Sequence, residues 1–159
     1  MMAQPNDMRP FGELDDTDRA ILAVLEVDGR ISNKALAERV GIAPSTCLAR
    51  VRALRERGVL RGFHADIDPT ALGLPLQALI SVRLAAHERA AVDAFRARSV
   101  RLPGVVSVFH VAGADDYVLH VRAASGDALR DFVLDHLAVD PVVQHTRTSL
   151  IFEQARGVG

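Results

Sequence analysis

Apolar residues early in the chain recur every three or four positions, the spacing that places them on one face of a helix. The first such stretch follows the acid-rich residues 14–18, which favour a helix start, and ends at Gly29. The second follows Ser32, a capping residue, and ends at Gly41. The third starts at Pro44, because proline is favoured at the first position of a helix. The pattern predicts three helices, the last two joined by a tight turn.

The third predicted helix has two contrasting faces. At about 100° per residue, Cys47, Val51 and Leu54 form an apolar stripe, and the opposite side is small and polar, then cationic. Such a helix fits the major groove of DNA, where its first residues read bases and flanking arginines contact phosphates. We expect Arg50 to read a base; the alternative is an ordinary amphipathic helix with a solvated arginine face. The candidate DNA-binding residues are Ser45, Thr46, Ala49, Arg50, Arg52, Arg57 and Arg61.

The residues that follow this helix, 59–67, have the sequence VLRGFHADI. They can form two very short strands around Arg61 and Gly62, which would make the wing of a winged helix-turn-helix. A plain connector is the alternative interpretation.

The pattern changes beyond residues 67–75, which contain the proline and glycine of a linker. Apolar and polar residues alternate over 76–84, as in a strand with one buried face. The remaining elements are a helix over 87–101, strands over 105–112 and 116–122, a helix from Ser125, and a strand over 142–152. The order is that of a ferredoxin-like βαββαβ domain.

A sheet with both helices on one face leaves its other face open. In the alternating pattern of the first strand, Leu79 points to that open face. Because an exposed apolar surface needs a partner, the sequence predicts at least a homodimer.

Composition narrows the class of protein. The 159 residues are 49% hydrophobic and 25% charged, as in soluble globular proteins. The net charge of −1 does not exclude binding to nucleic acid, because arginines cluster locally between residues 50 and 61. The single cysteine excludes an internal disulfide and fits a reducing cytoplasm. No apolar run approaches the length of a membrane span.

Candidate catalytic chemistry is sparse. The six histidines lack the spacing of a metal site, which favours structural histidines. Cys47 lies on the apolar stripe, which indicates a core residue and not a nucleophile. No serine-histidine-acid set, phosphate loop or pair of catalytic carboxylates stands out. The sequence therefore predicts neither an enzyme nor a bound cofactor or metal.

Five segments carry a family resemblance: LDDTDRAILAVLEVDGRISNKALAERVGI, CLARVRALRERGVLRGFHADIDP, LPGV, GADDY and TRTSLIF. In this order, from about residue 14 to residue 153, they resemble the Lrp/AsnC (feast/famine) transcriptional regulators. The resemblance implies a winged helix joined to a ferredoxin-like domain that dimerises and binds small effectors, usually amino acids. It also implies that dimers associate into tetramers, octamers or higher forms. One departure is Ala43, where the family commonly has a capping serine, so we expect Ser45 to cap one residue later.

The GADDY segment is the candidate effector site. Glycine allows close backbone approach and the adjacent acids can receive an ammonium group, although the spacing alone favours a solvated turn. The resemblance implies effector binding around this loop at the junction between dimers, with hydroxyls contributed by the last strand; those hydroxyl residues are otherwise ordinary strand residues. The candidate effector-binding residues are Gly113, Asp115, Asp116, Tyr117, Thr146, Thr148 and Ser149.

We therefore predict an α+β chain, with disorder over 1–13, a winged helix-turn-helix over 14–66, a linker over 67–75, and a ferredoxin-like effector-binding and oligomerisation domain over 76–159. The leading hypothesis is a cytoplasmic, sequence-specific regulator that binds double-stranded DNA and responds to an amino acid or related metabolite. One alternative is a metabolite-binding oligomer with a non-functional DNA-binding domain. Another, a small enzyme, lacks a visible catalytic set.

Overall fold

The computed structural model describes residues 13–85, 89–155 and 157, which form two compact units, one ending at Asp66 and the other beginning at Ile67. The first unit contains helices α1 (Asp16–Val27), α2 (Asn33–Val40) and α3 (Pro44–Glu56). The second contains β1 (Leu76–Leu84), α4 (Arg89–Ser99), β2 (Val105–His110), β3 (Tyr117–Ala123), α5 (Gly126–Val133), a π-helical turn (Leu134–Ala138) and β4 (Val143–Ile151).

The first unit is built around the apolar stripes of its helices. They bury Ile21, Leu25, Leu36, Ala37, Cys47 and Leu54 in one cluster. The predicted cap at Ser32 is confirmed, because its hydroxyl accepts a hydrogen bond from the Ala35 N–H at 3.2 Å. Within the acid-rich segment 14–18, the Asp15 carboxylate caps α1 by accepting from the Asp18 N–H at 2.7 Å. Each cap satisfies a backbone donor that the first helical turn leaves free.

The turn between α2 and α3 depends on Gly41, whose φ of 72° lies in the left-handed region. Its N–H donates to the carbonyls of Ala37 and Glu38, which ends α2. The helical bonding of α3 starts at Ala43, whose carbonyl accepts from the Cys47 N–H at 2.9 Å. The prediction that Ser45 caps this helix is therefore wrong, because Ser45 already lies in the first turn.

The predicted wing strands are also wrong, since residues 59–68 contain no strand. A two-residue hairpin turn at Arg61 and Gly62 would require positive φ angles, and neither residue has one. The Leu60 N–H instead donates to the Leu54 carbonyl at 3.1 Å, which holds the segment against the end of α3. The segment is the connector that the alternative interpretation described.

The second unit is a four-stranded antiparallel sheet in the order β2-β3-β1-β4. Along β1, Ala78, Ile80, Val82 and Leu84 are buried against side chains of α4 and α5. Leu79 points the other way and is 38% exposed, as predicted. The α+β class and the βαββαβ order are thereby confirmed.

Element ends differ from prediction by a few residues. The helix predicted over 87–101 is observed as α4, and its predicted first residue lies outside the described residues. β3 begins one residue later than predicted, at Tyr117, although the backbone N–H of Asp116 donates to the Val82 carbonyl of β1 at 2.9 Å. No helix among the described residues has the length and apolar character needed to cross a bilayer.

Gly104 offers a test of this fold. Its φ is 80°, and a Cβ there would lie 2.5 Å from the Arg122 carbonyl oxygen. Gly73 has a similar φ of 72° and open space around its Cβ position. We expect Gly104→Ala to lower the free energy of unfolding by about 2–4 kcal/mol, and Gly73→Ala by only about 1 kcal/mol.

Urea unfolding followed by tyrosine fluorescence measures this difference, because Tyr117 is the only tyrosine and the chain has no tryptophan. Its ring is buried in the second unit, so the signal reports that unit alone. Equal losses in the two variants would contradict the steric role of Gly104.

Candidate functional sites

The outward face of α3 carries the first set of predicted residues. Ser45, Thr46 and Ala49 are exposed on its N-terminal half, and Arg52 follows on the same face. The opposite face buries Cys47 and Leu54, and burial raises the pKa of the Cys47 thiol, as befits a core residue. The helix thus presents small side chains where a base edge can approach, with a cation behind them.

The cationic end of this face forms an open groove of about 390 Å³. It is lined by Arg52, Arg55, Glu56, Leu60 and Arg61. Three guanidinium groups stand there against one carboxylate, an arrangement suited to phosphate contacts. Arg55 was missing from the predicted site, although helical spacing places it beside Arg52.

Arg50, which we expected to read a base, pairs with two acids at the start of α1. Its side chain is 32% exposed, and one terminal nitrogen donates to Asp15 at 2.7 Å and to Asp18 at 2.8 Å. The hydrogen bonds with Asp15 and then Asp18 raise the pKa of Arg50. The Asp18 N–H and then Arg50 lower the pKa of Asp15, so this pair remains charged to more acidic pH than usual.

Arg57, another of the predicted DNA-binding arginines, also approaches an acid. Its guanidinium lies 3.7 Å from the second oxygen of Asp18. A further tie holds the start of α3, because the Asn33 side-chain amide donates to the Pro44 carbonyl at 2.8 Å. The described contacts of α3 therefore include polar ties to both α1 and α2.

In the second unit, the GADDY loop is held against the sheet by Asp116. One oxygen of its carboxylate accepts from the Leu84 N–H at 2.8 Å, and its own N–H donates to Val82. Backbone hydrogen bonds on both sides make Asp116 an anchor of the loop. Gly113, at the tip, is exposed and has open space around it.

Asp115, the neighbouring acid, pairs with an arginine of β4. The Arg147 guanidinium donates to the Asp115 carboxylate at 2.9 Å, and the Arg83 guanidinium donates to the Ala114 carbonyl at 2.7 Å. Both arginines were missing from the predicted site. The alternation of β4 signals one of them, since it places Arg147 on the opposite sheet face from Thr146 and Thr148.

The hydroxyl residues of β4 do not form one group. Thr146 and Thr148 pair with Val82 and Ile80, whose side chains face the helices. Ser149 pairs with Leu79, on the open face of the sheet. Thr148 lines a separate, mostly apolar cavity of about 300 Å³ beside α5, with Gly126, Leu129, Arg130, Val133 and Leu134.

Tyr117 belongs to the core beneath the loop. Its ring is stacked on His110 with 4.7 Å between centroids, and its hydroxyl donates to the Val92 carbonyl at 3.3 Å. Burial raises the pKa of the phenol. The predicted effector residues therefore divide into three groups: the anchored loop with Ser149 on the open-face side, a buried ring, and two threonines on the helix side.

Comparison with known proteins accounts for both units. Residues 14–61 match the family described as winged helix-turn-helix DNA-binding, and residues 77–156 match the one described as Lrp/AsnC ligand-binding domain. The chain belongs to the Lrp/AsnC family. It is a DNA-binding transcriptional regulator with a domain that binds a small-molecule effector, as the sequence predicted.

Two relatives represent the similarity in sequence. The HTH-type transcriptional regulator AldR of Mycobacterium tuberculosis is 52% identical over 155 residues, which cover 98% of this chain and 86% of AldR. The leucine-responsive regulatory protein of Rhizobium meliloti is 41% identical over 144 residues, 91% of this chain and 92% of that protein.

Solved structures agree with the fold. The crystal structure of MtbAldR has a TM-score of 0.76 at 48% identity, covering 91% of this chain and 98% of that one. A transcriptional regulator from Neisseria meningitidis, solved as a complex with L-Met, has a TM-score of 0.83 at 35% identity, covering 91% and 94%.

The groove on α3 generates a prediction about DNA. Arg52→Ala and Arg61→Ala should each weaken binding to all duplex sequences alike and reduce the slope of log affinity against log salt by about 1, because each removes a cation available to phosphates. Fluorescence anisotropy between low and moderate salt measures both quantities.

The matched control is Arg89→Ala, which removes the same charge from a side chain that is 93% exposed in the second unit. It should leave affinity and slope unchanged. Unchanged binding in Arg52→Ala and Arg61→Ala would contradict the assignment of this groove to DNA.

Proposed function

We propose that this regulator reads its operator with α3 and that an amino acid, bound at the GADDY loop, changes its DNA binding. The observation that carries the DNA half is the face of α3, where Ser45, Thr46 and Ala49 are exposed ahead of the arginine groove. Recognition helices place residues of this kind in the major groove. Because its target is DNA, we assign the chain to the cytoplasm.

The ligand half of the proposal rests on charge. Asp115 and Arg147 hold opposite charges 2.9 Å apart, with side chains 14% and 64% exposed. An amino acid carries an ammonium and a carboxylate at similarly short separation, so its ammonium suits Asp115 and its carboxylate suits Arg147. Ser149 lies two residues further along the same strand face and is the hydroxyl that we retain as a candidate contact.

Apolar amino acids are the first ligands to test. One relative is named for its response to leucine, and one similar structure contains L-Met. We propose the same chemical class here. We propose no catalytic activity, because the two matched domains, one for DNA and one for a ligand, account for most of the chain.

We also propose that the chain works as a homodimer, with further association of dimers into tetramers or octamers. The open face of the sheet carries the exposed side chains of Leu79 and Phe109, which are 38% and 52% exposed. Val118 pairs with Ser81 and Phe109 on that face. A second copy of the same face would cover these apolar groups, and a dimer also fits the two-fold symmetry of most helix-turn-helix operators.

The assembly proposal predicts that Leu79→Asp dissociates the dimer, because a charge buried between two apolar faces lacks a partner. The control is Val100→Asp, at an apolar residue that is 49% exposed just beyond α4. Light scattering at micromolar concentration should find monomers for the first variant only. A monomeric wild-type chain would contradict the proposal.

The effector proposal predicts a loss of ligand response in Asp115→Asn and Arg147→Gln, each of which removes one charge that the ligand would meet. The loss should be about 1–3 kcal/mol of binding free energy, or at least a fivefold rise in Kd. A thermal-shift screen of the L-amino acids on wild type and variants measures it.

Asp127→Asn is the matched control, since the Asp127 side chain is 83% exposed on α5. A ligand that stabilises the wild type and both variants equally would move the site away from the loop. A gel shift with the chain's own upstream DNA, with and without the hit, tests the regulatory response itself.

A further inference from the structure

Asp18 lies at the centre of an ion cluster between α1 and α3. Its side chain is only 9% exposed, one oxygen accepts from Arg50 at 2.8 Å, and the other lies 3.7 Å from Arg57. A buried carboxylate is costly unless it is paired, so these contacts are structurally required. Asp15 completes the cluster, because one oxygen caps α1 and the other pairs with Arg50.

Arg50 and Arg57 connect α3 to Asp18 at two points along the helix axis. Residues 50 and 57 are seven positions apart, so they lie on the same side of the helix about 10 Å apart along its axis. Both reach the same carboxylate. An apolar stripe tolerates small rotations, but the charge-assisted hydrogen bonds of Arg50 are directional and fix the helix about its axis, with the Arg57 ion pair as a second tie.

The rotation of α3 about its own axis determines which of its side chains face the DNA. A helix with its side chains has a radius of about 5–6 Å, so a rotation of about 15° moves a side-chain end by about 1.5 Å. That displacement is half the length of a hydrogen bond and breaks base-edge contacts. It changes the attraction to phosphates much less, because charge attraction weakens only gradually with distance, whereas a hydrogen bond to a base edge needs close and aligned atoms.

We infer that Arg50 is a positioning residue, which sets the rotation of α3 through Asp15 and Asp18 and does not itself contact DNA. The inference rests on the proposed use of α3 as the reading helix. It assigns to the acidic start of α1 a part in sequence recognition. The positive charge of Arg50 is already balanced by Asp15 and Asp18, whereas Arg52, Arg55 and Arg61 share a groove with a single acid.

Opposite charge changes separate the two possible roles. Asp18→Asn removes a negative charge and releases Arg50, whereas Arg50→Ala removes a positive charge. If Arg50 touched DNA, Asp18→Asn would bind as tightly as wild type or more tightly. If Arg50 positions α3, both variants should weaken specific binding about tenfold, the effect of losing a charged hydrogen bond.

The measurement is fluorescence anisotropy with two duplexes, the best-binding fragment of the chain's own upstream DNA and a scrambled duplex of the same composition. Binding is measured with the full chain at a temperature well below the thermal unfolding midpoint of each variant. We expect a tenfold loss of the specific-to-scrambled affinity ratio in both variants. A variant that merely unfolded in part would lose affinity for both duplexes equally and keep the ratio.

Asp15→Asn provides a milder variant, because asparagine also caps helices and the Asp15 side chain is 53% exposed. We expect it to lower the ratio less than Asp18→Asn. In the Arg50→Ala background it should have no further effect, since its partner is already gone. This cycle decides the matter even if Asp18→Asn does not fold.

An unchanged or higher ratio in Asp15→Asn and Asp18→Asn, or additive losses in the cycle, would overturn the inference. Arg52→Ala serves as the separate check on the reading helix. If it leaves binding to both duplexes intact, the assignment of α3 to DNA is contradicted, whatever the behaviour of Arg50.

Discussion

The central strand β1 is the element on which the second unit depends. It is hydrogen-bonded to β3 on one edge and to β4 on the other, so its register sets that of both neighbours. Its alternation places Ile80 and Val82 in the core and leaves Leu79 on the open face. A shift of one residue would exchange these faces, exposing the core set and burying Arg83. Strict alternation therefore fixes at once the core, the open face and the side on which Arg83 meets the loop.

The first unit is stabilised differently, because its three short helices bury few side chains. Its apolar cluster holds the helices together, but an aliphatic stripe gives little directional control. Polar ties supply that control: Asn33 to the start of α3, and Asp15 and Asp18 to Arg50. This division between cohesion and orientation gives a reason for the burial of one charged residue, Asp18, within the unit.

Much of the fold was predictable, because the periodicity of hydrophobic residues and the turn residues between them determine local structure. The helices of the first unit, the alternation of 76–84 and the order βαββαβ all follow from such patterns. The predicted wing strands are absent, and Gly62 does not adopt the positive φ that a tight hairpin needs. The pairing of Arg50 with two acids was not predicted, although Arg50 lies only about 70° from the apolar stripe, against about 130° for Arg52. Its partners are more than 30 residues away, as Asp115 is from Arg147, and spacing does not reveal such pairs.

The anchoring of Asp116 has a mechanical consequence. The loop is tied at both its amide and its carboxylate to the backbone of β1, at Val82 and Leu84. The residue between them, Arg83, holds the loop carbonyl of Ala114. The loop is therefore hydrogen-bonded to three consecutive residues of β1. A displacement of the loop therefore acts directly on β1, the strand that is hydrogen-bonded to both β3 and β4.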